Sequence, residues 1–192
     1  MEIAVGINCA AGLILSNGSI NYMSIKPENI LKCKIAENLT EELFKKSGLK
    51  VFPIGNRTIF NSLGQFEKIF NKENEAVKKI FSTPDLIVVN QKEEVLLVEV
   101  KFRTDPGSLE EELLLEKEIL EGFWKARIVM VTPQEKPYFR VLTPPYFSKE
   151  KKEGWPIPVS NWKAIEEIPE LGINPDVLEE FNNLVEKYCL KQ

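Results

Sequence analysis

Two patterns of apolar residues predict the elements at the start of the chain. Short apolar runs flank Asn17-Gly18, a pair that tolerates positive φ and suits a two-residue turn, so residues 10–25 are predicted to form a β-hairpin. Between residues 27 and 46 the apolar positions recur at close to helical spacing. Gly48 follows at the place where a left-handed residue ends a helix. We therefore expect a hairpin and then one long helix.

The middle of the chain is dominated by nearly continuous apolar runs, which indicate strands. Residues 85–90 and 95–100 are predicted to pair as a hairpin, buried on both faces at the centre of a covered sheet. Further strands are expected at 50–54, 126–131 and 138–142, and helices at 65–80, 108–121 and 175–188. Ser108 and Glu111 form a capping-box pattern, and Asn174 precedes Pro175 as the cap of the last helix.

The order of these elements predicts an α/β fold with a mixed central sheet flanked by helices. We divide the chain into an N-terminal hairpin (1–25), a core (26–147) and a C-terminal helical extension that packs on the core (148–192). The proline-rich character after residue 145 marks the last boundary.

Composition limits the chemistry. The chain has 192 residues, 43% of them hydrophobic, which suits one globular domain with an appendage. It contains no histidine, so catalytic triads, His-ligated zinc and imidazole acid–base catalysis are excluded. Any chemistry must use carboxylates, lysines and a bound cation. A net charge of −4 argues against a protein that coats nucleic acid by bulk electrostatics.

Composition also predicts a cytoplasmic location. Cys9, Cys33 and Cys189 are scattered and odd in number, which favours reduced thiols over a disulfide framework or a zinc site. The apolar start lacks a basic n-region, which argues against a signal peptide. No run approaches the roughly 18 apolar residues of a membrane span, so we expect no membrane association.

Candidate chemistry lies at one end of the central hairpin. Pro84-Asp85 precedes the first strand, and Glu99-Val100-Lys101 ends the second. Because strand side chains alternate, Glu99 and Lys101 share a face. A hairpin that turns near residue 92 brings Asp85 beside Glu99 or Val100, and Asp85 stands directly opposite Glu99 if the loop has an odd length or the strands contain a bulge. Two carboxylates and an ammonium in a buried hairpin are costly unless something binds there.

These groups suit a hydrated divalent cation and a phosphate. Asp85 and Glu99 offer hard oxygen ligands, and the carbonyl of Val100 offers a third, which matches the ligands of Mg²⁺, with Mn²⁺ as a substitute. Lys101 is placed to orient a water and to stabilise developing negative charge. The set therefore indicates metal-assisted phosphodiester hydrolysis.

Pro84-Asp85 followed by Glu99-Val100-Lys101 resembles the PD-(D/E)xK nuclease superfamily, the restriction-endonuclease-like fold. Upstream, Ala36-Glu37, Leu43 and Gly48 resemble the first helix of archaeal Holliday junction resolvases. The resemblance implies a restriction- or resolvase-like endonuclease that cuts DNA, with Glu37 assisting the metal. It also implies a homodimer, which is common in that superfamily.

The resemblance has departures. Many relatives carry a glutamine or lysine on the helix after the ExK strand, whereas here that helix offers several charged residues among which the sequence does not choose: Glu110, Glu111, Glu112, Glu116, Lys117 and Glu118. Being mostly acidic, it is expected to face away from nucleic acid.

Other readings remain open. The chain could be a non-catalytic nucleic-acid-binding or scaffold module with a vestigial site, or Lys101 could simply form a buried ion pair with Asp85 or Glu99. Two further groups have both a structural and a nucleic-acid-binding reading. The basic residues of the first are expected either at a phosphate-contacting rim or at a solvated helix end: Lys45, Lys46, Lys50 and Arg57. The aromatic residues of the second are expected to pack rather than to stack on bases: Tyr146, Phe147, Trp155 and Trp162.

Overall fold

A computed structural model gives the structure of the chain. It describes residues 13–16, 19–22, 27–54, 76, 79, 83–115, 117, 124–148 and 154–190. The strands within these residues are β1 (Leu13–Ser16), β2 (Ser19–Tyr22), β3 (Lys50–Pro53), β4 (Leu86–Val89), β5 (Val95–Phe102), β6 (Arg127–Val131), β7 (Phe139–Leu142) and β8 (Lys163–Ala164). The α-helices are α1 (Pro27–Lys46), α2 (Gly107–Leu115) and α3 (Pro175–Val185). Short 3₁₀ helices at Val159–Asn161 and Ile165–Glu167 flank β8, and the π-helical stretch Glu186–Leu190 continues α3.

The fold is mixed α/β, built on a six-stranded sheet in the order β3-β4-β5-β6-β7-β8. Only β5 and β6 run parallel, and every other neighbouring pair in this sheet is antiparallel. The parallel pair is connected through α2, as a crossover requires. The strands β1 and β2 form a separate antiparallel pair in which Ser16 faces Ser19.

Each face of the sheet carries its own apolar core. On one face α1 contacts β3, β5 and α3, and the core there includes Phe44, Val98 and Phe181. On the other face Leu109 and Leu113 of α2 pack with residues of β6 and of the segment after β7. Because α1 and α2 cover opposite faces, the end of β5 lies between two layers of helix, where a charged side chain can be buried.

Most predicted elements are confirmed. The helix predicted at 27–46 has those bounds, and Gly48 follows it with φ of +87°. The strands predicted at 50–54, 85–90, 95–100, 126–131 and 138–142 match β3 to β7 within two residues. The β1–β2 pair confirms the hairpin, and Asn174 caps α3 by accepting a hydrogen bond from the amide of Asp176. The helix predicted at 65–80 lies almost wholly outside the described residues.

Two structural expectations were wrong. The side chain of Asp105, rather than Ser108, accepts a hydrogen bond at the start of α2, from the amide of Gly107 at 3.1 Å, so the helix begins one residue early. The central strands are not fully buried on both faces. In β4 the residues Leu86 and Val88 are buried, whereas Ile87 and Val89 are half-buried.

The cysteines also differ from expectation. Cys33 forms a disulfide, and Cys189 is a free, buried thiol. The prediction of reduced cysteines is therefore wrong for Cys33, and cysteine usage no longer supports a cytoplasmic location, which stays a prediction. No helix in the described part of the chain is long and apolar enough to cross a membrane.

Candidate active site

The register of β4 and β5 brings the two candidate carboxylates together. Leu86 pairs with Val98 and Val89 with Val95, so five residues connect the strands. This odd length places Asp85, one position beyond the ladder, opposite Glu99. Both residues therefore lie on the same face at the open end of the hairpin, as the alternation of side chains predicts.

Pro84 shapes the backbone at this end. The amide of Asn90 donates to the carbonyl of Glu94, which makes every second pair along β4 and β5 a hydrogen-bonded pair. Pro84 and Val100 would form the next such pair, but proline has no N–H to donate to the Val100 carbonyl. The amide of Val100 donates instead to Oδ2 of Asp85 at 2.8 Å. Asp85 thus ends the ladder, and that ladder supplies no donor to the carbonyl of Val100.

Lys101 lies on the same face of β5 as Glu99, but deeper. It is 1% exposed, and its Nζ lies 3.2 Å from Oε1 of Glu99 and 2.9 Å from Oε1 of Glu112. The side chain of Glu99 is 19% exposed and that of Glu112 2%. Glu99 therefore links a buried ammonium to the solvent-facing edge of the hairpin. The buried ion pair between Lys101 and Glu99, which the structural alternative expected, is therefore present.

The sequence patterns did not predict Arg103 as a member of this cluster, and they left Glu112 as one of several charged candidates on its helix. Arg103, two residues after Lys101, forms an ion pair with Oε2 of Glu112, and its Nη1 donates to the carbonyl of Phe102 at 2.6 Å. Glu112 comes from α2, where it lies on the buried side next to Leu113. The two-residue spacing of Lys101 and Arg103, which is the period of a strand, could have indicated that both side chains lie on the same face. Nothing local distinguishes Glu112 from the other acidic residues of its helix.

The acidic helix therefore does not expose all its carboxylates. Glu112 faces the sheet, and Glu110 accepts a hydrogen bond from the amide of Val159 at 3.0 Å. These contacts use acidic side chains to fasten α2 to β5 and to the segment before β8. The expectation that the helix faces away from nucleic acid stays untested.

Glu37 lies on α1, between buried Ala36 and the exposed side of the helix, and is half-buried. The helix contacts β5 from the face opposite to the one that carries Glu99 and Lys101. The participation of Glu37 in a site at the hairpin end stays a prediction.

The remaining candidate residues have structural contacts. Lys45 pairs with Glu41 and Glu42 at 2.7 and 2.8 Å, which raises the pKa of Lys45, and Lys46 pairs with Glu180 of α3 at 2.7 Å. These pairs support the solvated-helix reading, while Lys50 is exposed and Arg57 lies outside the described residues. Three of the four aromatic residues are buried in the α2-side core, and Trp155 is 38% exposed.

The donors at the hairpin end are few. Within the described ranges, no three acidic or cysteine side chains form a group that could hold a metal ion by themselves. A site here would therefore use two carboxylates, a backbone carbonyl and water. Magnesium suits this donor set, because it keeps several waters and commonly takes one or two protein carboxylates.

Comparison with known proteins gives a structural match. The solved structure of Hjc from Archaeoglobus fulgidus, a Holliday junction resolvase from an archaeal hyperthermophile, is similar with a TM-score of 0.39 and 17% identity. The match covers 71% of this chain and 93% of that chain. No protein-family model and no curated protein matches the sequence.

Proposed function

We propose that the chain is a metal-dependent nuclease that hydrolyses phosphodiester bonds in DNA. The observation that carries this proposal is the end of the β4–β5 hairpin, where Asp85 stands opposite Glu99 beside a buried Lys101. A structural ion pair alone would need one carboxylate for one ammonium. Here a further carboxylate lies at the same edge, and together the acidic groups attract a divalent cation.

Asp85, Glu99 and the carbonyl of Val100 would hold Mg²⁺, with Mn²⁺ as a substitute. When bound, the ion supplies Lewis-acid polarisation of a phosphate oxygen and lowers the pKa of a coordinated water. Pro84 leaves the Val100 carbonyl without a ladder donor, and the oxygens of Asp85 are hard donors at the same edge. The donor set therefore fits the ion.

Lys101 would orient the attacking water and stabilise the negative charge that develops on the phosphate oxygens. Glu99, which pairs with Lys101 and is 19% exposed, would connect the buried ammonium to the solvent-facing edge where the substrate would bind. Glu37 would assist from α1, as the resemblance to resolvases implies. A restriction- or resolvase-like endonuclease acting as a homodimer on DNA is the finer form of this proposal.

The test is cleavage of a labelled panel of supercoiled plasmid, linear duplex, single strand, four-way junction and RNA, with Mg²⁺ or Mn²⁺. Wild type is compared with D85N and K101A. The D85N substitution keeps a side-chain oxygen that can accept from the Val100 amide but removes the charge, so folding should be near normal. We expect metal-dependent cutting of DNA that both substitutions abolish. Cutting that survives in D85N would contradict the proposed role of Asp85.

Metal binding is tested separately by thermal unfolding with and without Mg²⁺. Saturating metal at about 100 times Kd would stabilise the wild type by roughly 2.7 kcal/mol. P84A supplies a donor to the Val100 carbonyl, so the metal-induced shift should shrink. P53A is the matched control, because Pro53 lies at a non-hydrogen-bonded position opposite Leu86. Equal Mg²⁺-induced stabilisation of wild type and P84A would show that the Val100 carbonyl is not a metal ligand.

A non-catalytic module is the second candidate, and the ion pairs of Lys101 are the observation that favours it. A fully paired, buried lysine is what a vestigial site would keep. In that case metal would not shift the unfolding temperature of wild type, and every substrate in the panel would stay intact. Nucleic-acid binding without cutting would then identify the module.

A further inference from the structure

We propose that Glu112 and Arg103 form a positioning pair for Lys101. This pair would hold the ammonium in place and balance its charge while Glu99 is engaged elsewhere. The inference rests on the proposed nuclease function, since it assigns Lys101 a task at the reacting phosphate.

The first step is geometric. Lys101 in β5 and Arg103, the residue directly after β5, both meet Glu112, which comes from α2. Its two oxygens are divided between them, with Oε1 2.9 Å from Lys101 Nζ and Oε2 on the guanidinium of Arg103. Each cation therefore has its own oxygen, so neither has to compete with the other for Glu112.

The second step is the charge balance. Lys101 pairs with Glu99 and Glu112, and Arg103 pairs with Glu112, and buried charges are tolerated when they are paired with opposite charges in this way. A divalent cation on Glu99 would compete with Lys101 for that carboxylate. Glu112 is 2% exposed and contacts Lys101 from α2. Its negative charge would therefore stay paired with Lys101 when a divalent cation engages Glu99.

The third step is rigidity. Leu109 and Leu113, which flank Glu112 on α2, are fully buried against the sheet. Arg103 is fixed to its own strand through the carbonyl of Phe102. The carboxylate that holds Lys101 is thus mounted on packed elements, which is what precise placement of a charged group requires.

The experiment measures steady-state cleavage by wild type, E112Q, R103M, R103K and E110Q at fixed Mg²⁺. We expect E112Q to lower kcat at least 10-fold with KM changed less than threefold, because Lys101 acts on the transition state rather than on substrate binding. R103M should lower kcat in the same way, and R103K, which keeps the charge, should recover most of it. E110Q removes a carboxylate from the same helix, away from Lys101, and should match wild type.

Two further readouts separate the possible failures. E112Q should keep the Mg²⁺-induced rise in unfolding temperature, since Glu112 positions a neighbour and does not hold metal. A loss of that rise, or an unchanged kcat in E112Q, would overturn the inference while the nuclease stands. If wild type cuts nothing, the proposed function fails, and the inference fails with it.

The Lys101–Glu112 contact itself is checked by thermal unfolding of K101M, E112Q and the double variant. If the two residues share a contact, the fall in Tm of the double variant is smaller than the sum of the two single falls.

Discussion

Replacing Lys101 by methionine removes the ammonium from the buried cluster and keeps a side chain of similar reach. Removing one partner of a buried ion pair typically costs about 3–5 kcal/mol, because the other charge is left uncompensated. Here the cost should be smaller. Glu112 keeps Arg103, and Glu99 is 19% exposed and can be hydrated. We expect K101M to lose about 1–2 kcal/mol of unfolding free energy.

The matched variant E112L should cost more. Leucine fills the space of a side chain that is 2% exposed, but it removes the carboxylate that pairs with both Arg103 and Lys101. Two buried cations then lose a carboxylate that both contact, so the full cost of about 3–5 kcal/mol is expected. The order of stability should therefore be wild type, K101M and then E112L.

Urea unfolding followed by circular dichroism measures both losses. For a chain of this size, each kcal/mol corresponds to about 2–4 °C in Tm, so thermal unfolding gives a second measurement. K101M should also fail to cleave DNA while remaining folded. A loss in K101M equal to or greater than that in E112L would refute the reasoning, because Glu112 would not be the centre of the cluster. A gain in stability together with full activity would show that Lys101 serves neither fold nor catalysis.

Three further predictions concern the scaffold. The hydroxyl of Tyr146 donates to the carbonyl of Ala126 at 2.6 Å, and burial raises the pKa of Tyr146, so the phenol stays neutral in the fold while the unfolded chain ionises. The free energy of unfolding should be retained below about pH 10 and fall above it, as the phenol ionises in the unfolded chain. Y146F should reduce that fall and should cost about 1 kcal/mol at neutral pH. An unchanged fall at alkaline pH in Y146F would contradict this prediction. G48A should cost about 1 kcal/mol in urea unfolding because residue 48 has φ of +87°, whereas no loss would mean that the backbone relaxes. N174A removes the acceptor for the Asp176 amide and should cost about 1 kcal/mol, which calorimetry can check against N183A, a variant of an exposed asparagine on the same helix.

Local patterns predicted the parts of the fold that depend on neighbouring residues. The bounds of α1 follow from helical spacing ended by Gly48, and the pairing of β4 with β5 follows from two apolar runs with a short polar link. The helical period, the strand period and the glycine stop are short-range rules, so a single sequence is enough to apply them. The same rules left Asp85 beside either Glu99 or Val100, and only the five-residue connection of the folded hairpin places it opposite Glu99.

The partners that were missed come from outside those rules. Which side of α2 faces the sheet depends on how Leu109 and Leu113 pack, and several nearby acidic residues gave Glu112 no distinguishing mark. The strand β8 has two residues in a proline-rich segment, too few for any alternation to show. It joins the sheet because β7 offers an unpaired edge, which is a property of the assembled sheet rather than of the segment.

At the end of the β4–β5 hairpin, Asp85 has a structural role and is also a proposed metal ligand. A ladder that continued past Leu86 would place a donor on the carbonyl of Val100 and leave no polar edge there. Pro84 removes that donor, and the Val100 amide donates to the side chain of Asp85 rather than to the carbonyl of Pro84. The carboxylate is therefore needed by the backbone before any ligand arrives. An acidic group that the fold already holds in place loses little freedom when it binds a cation, which is the preorganisation that a metal-dependent site requires.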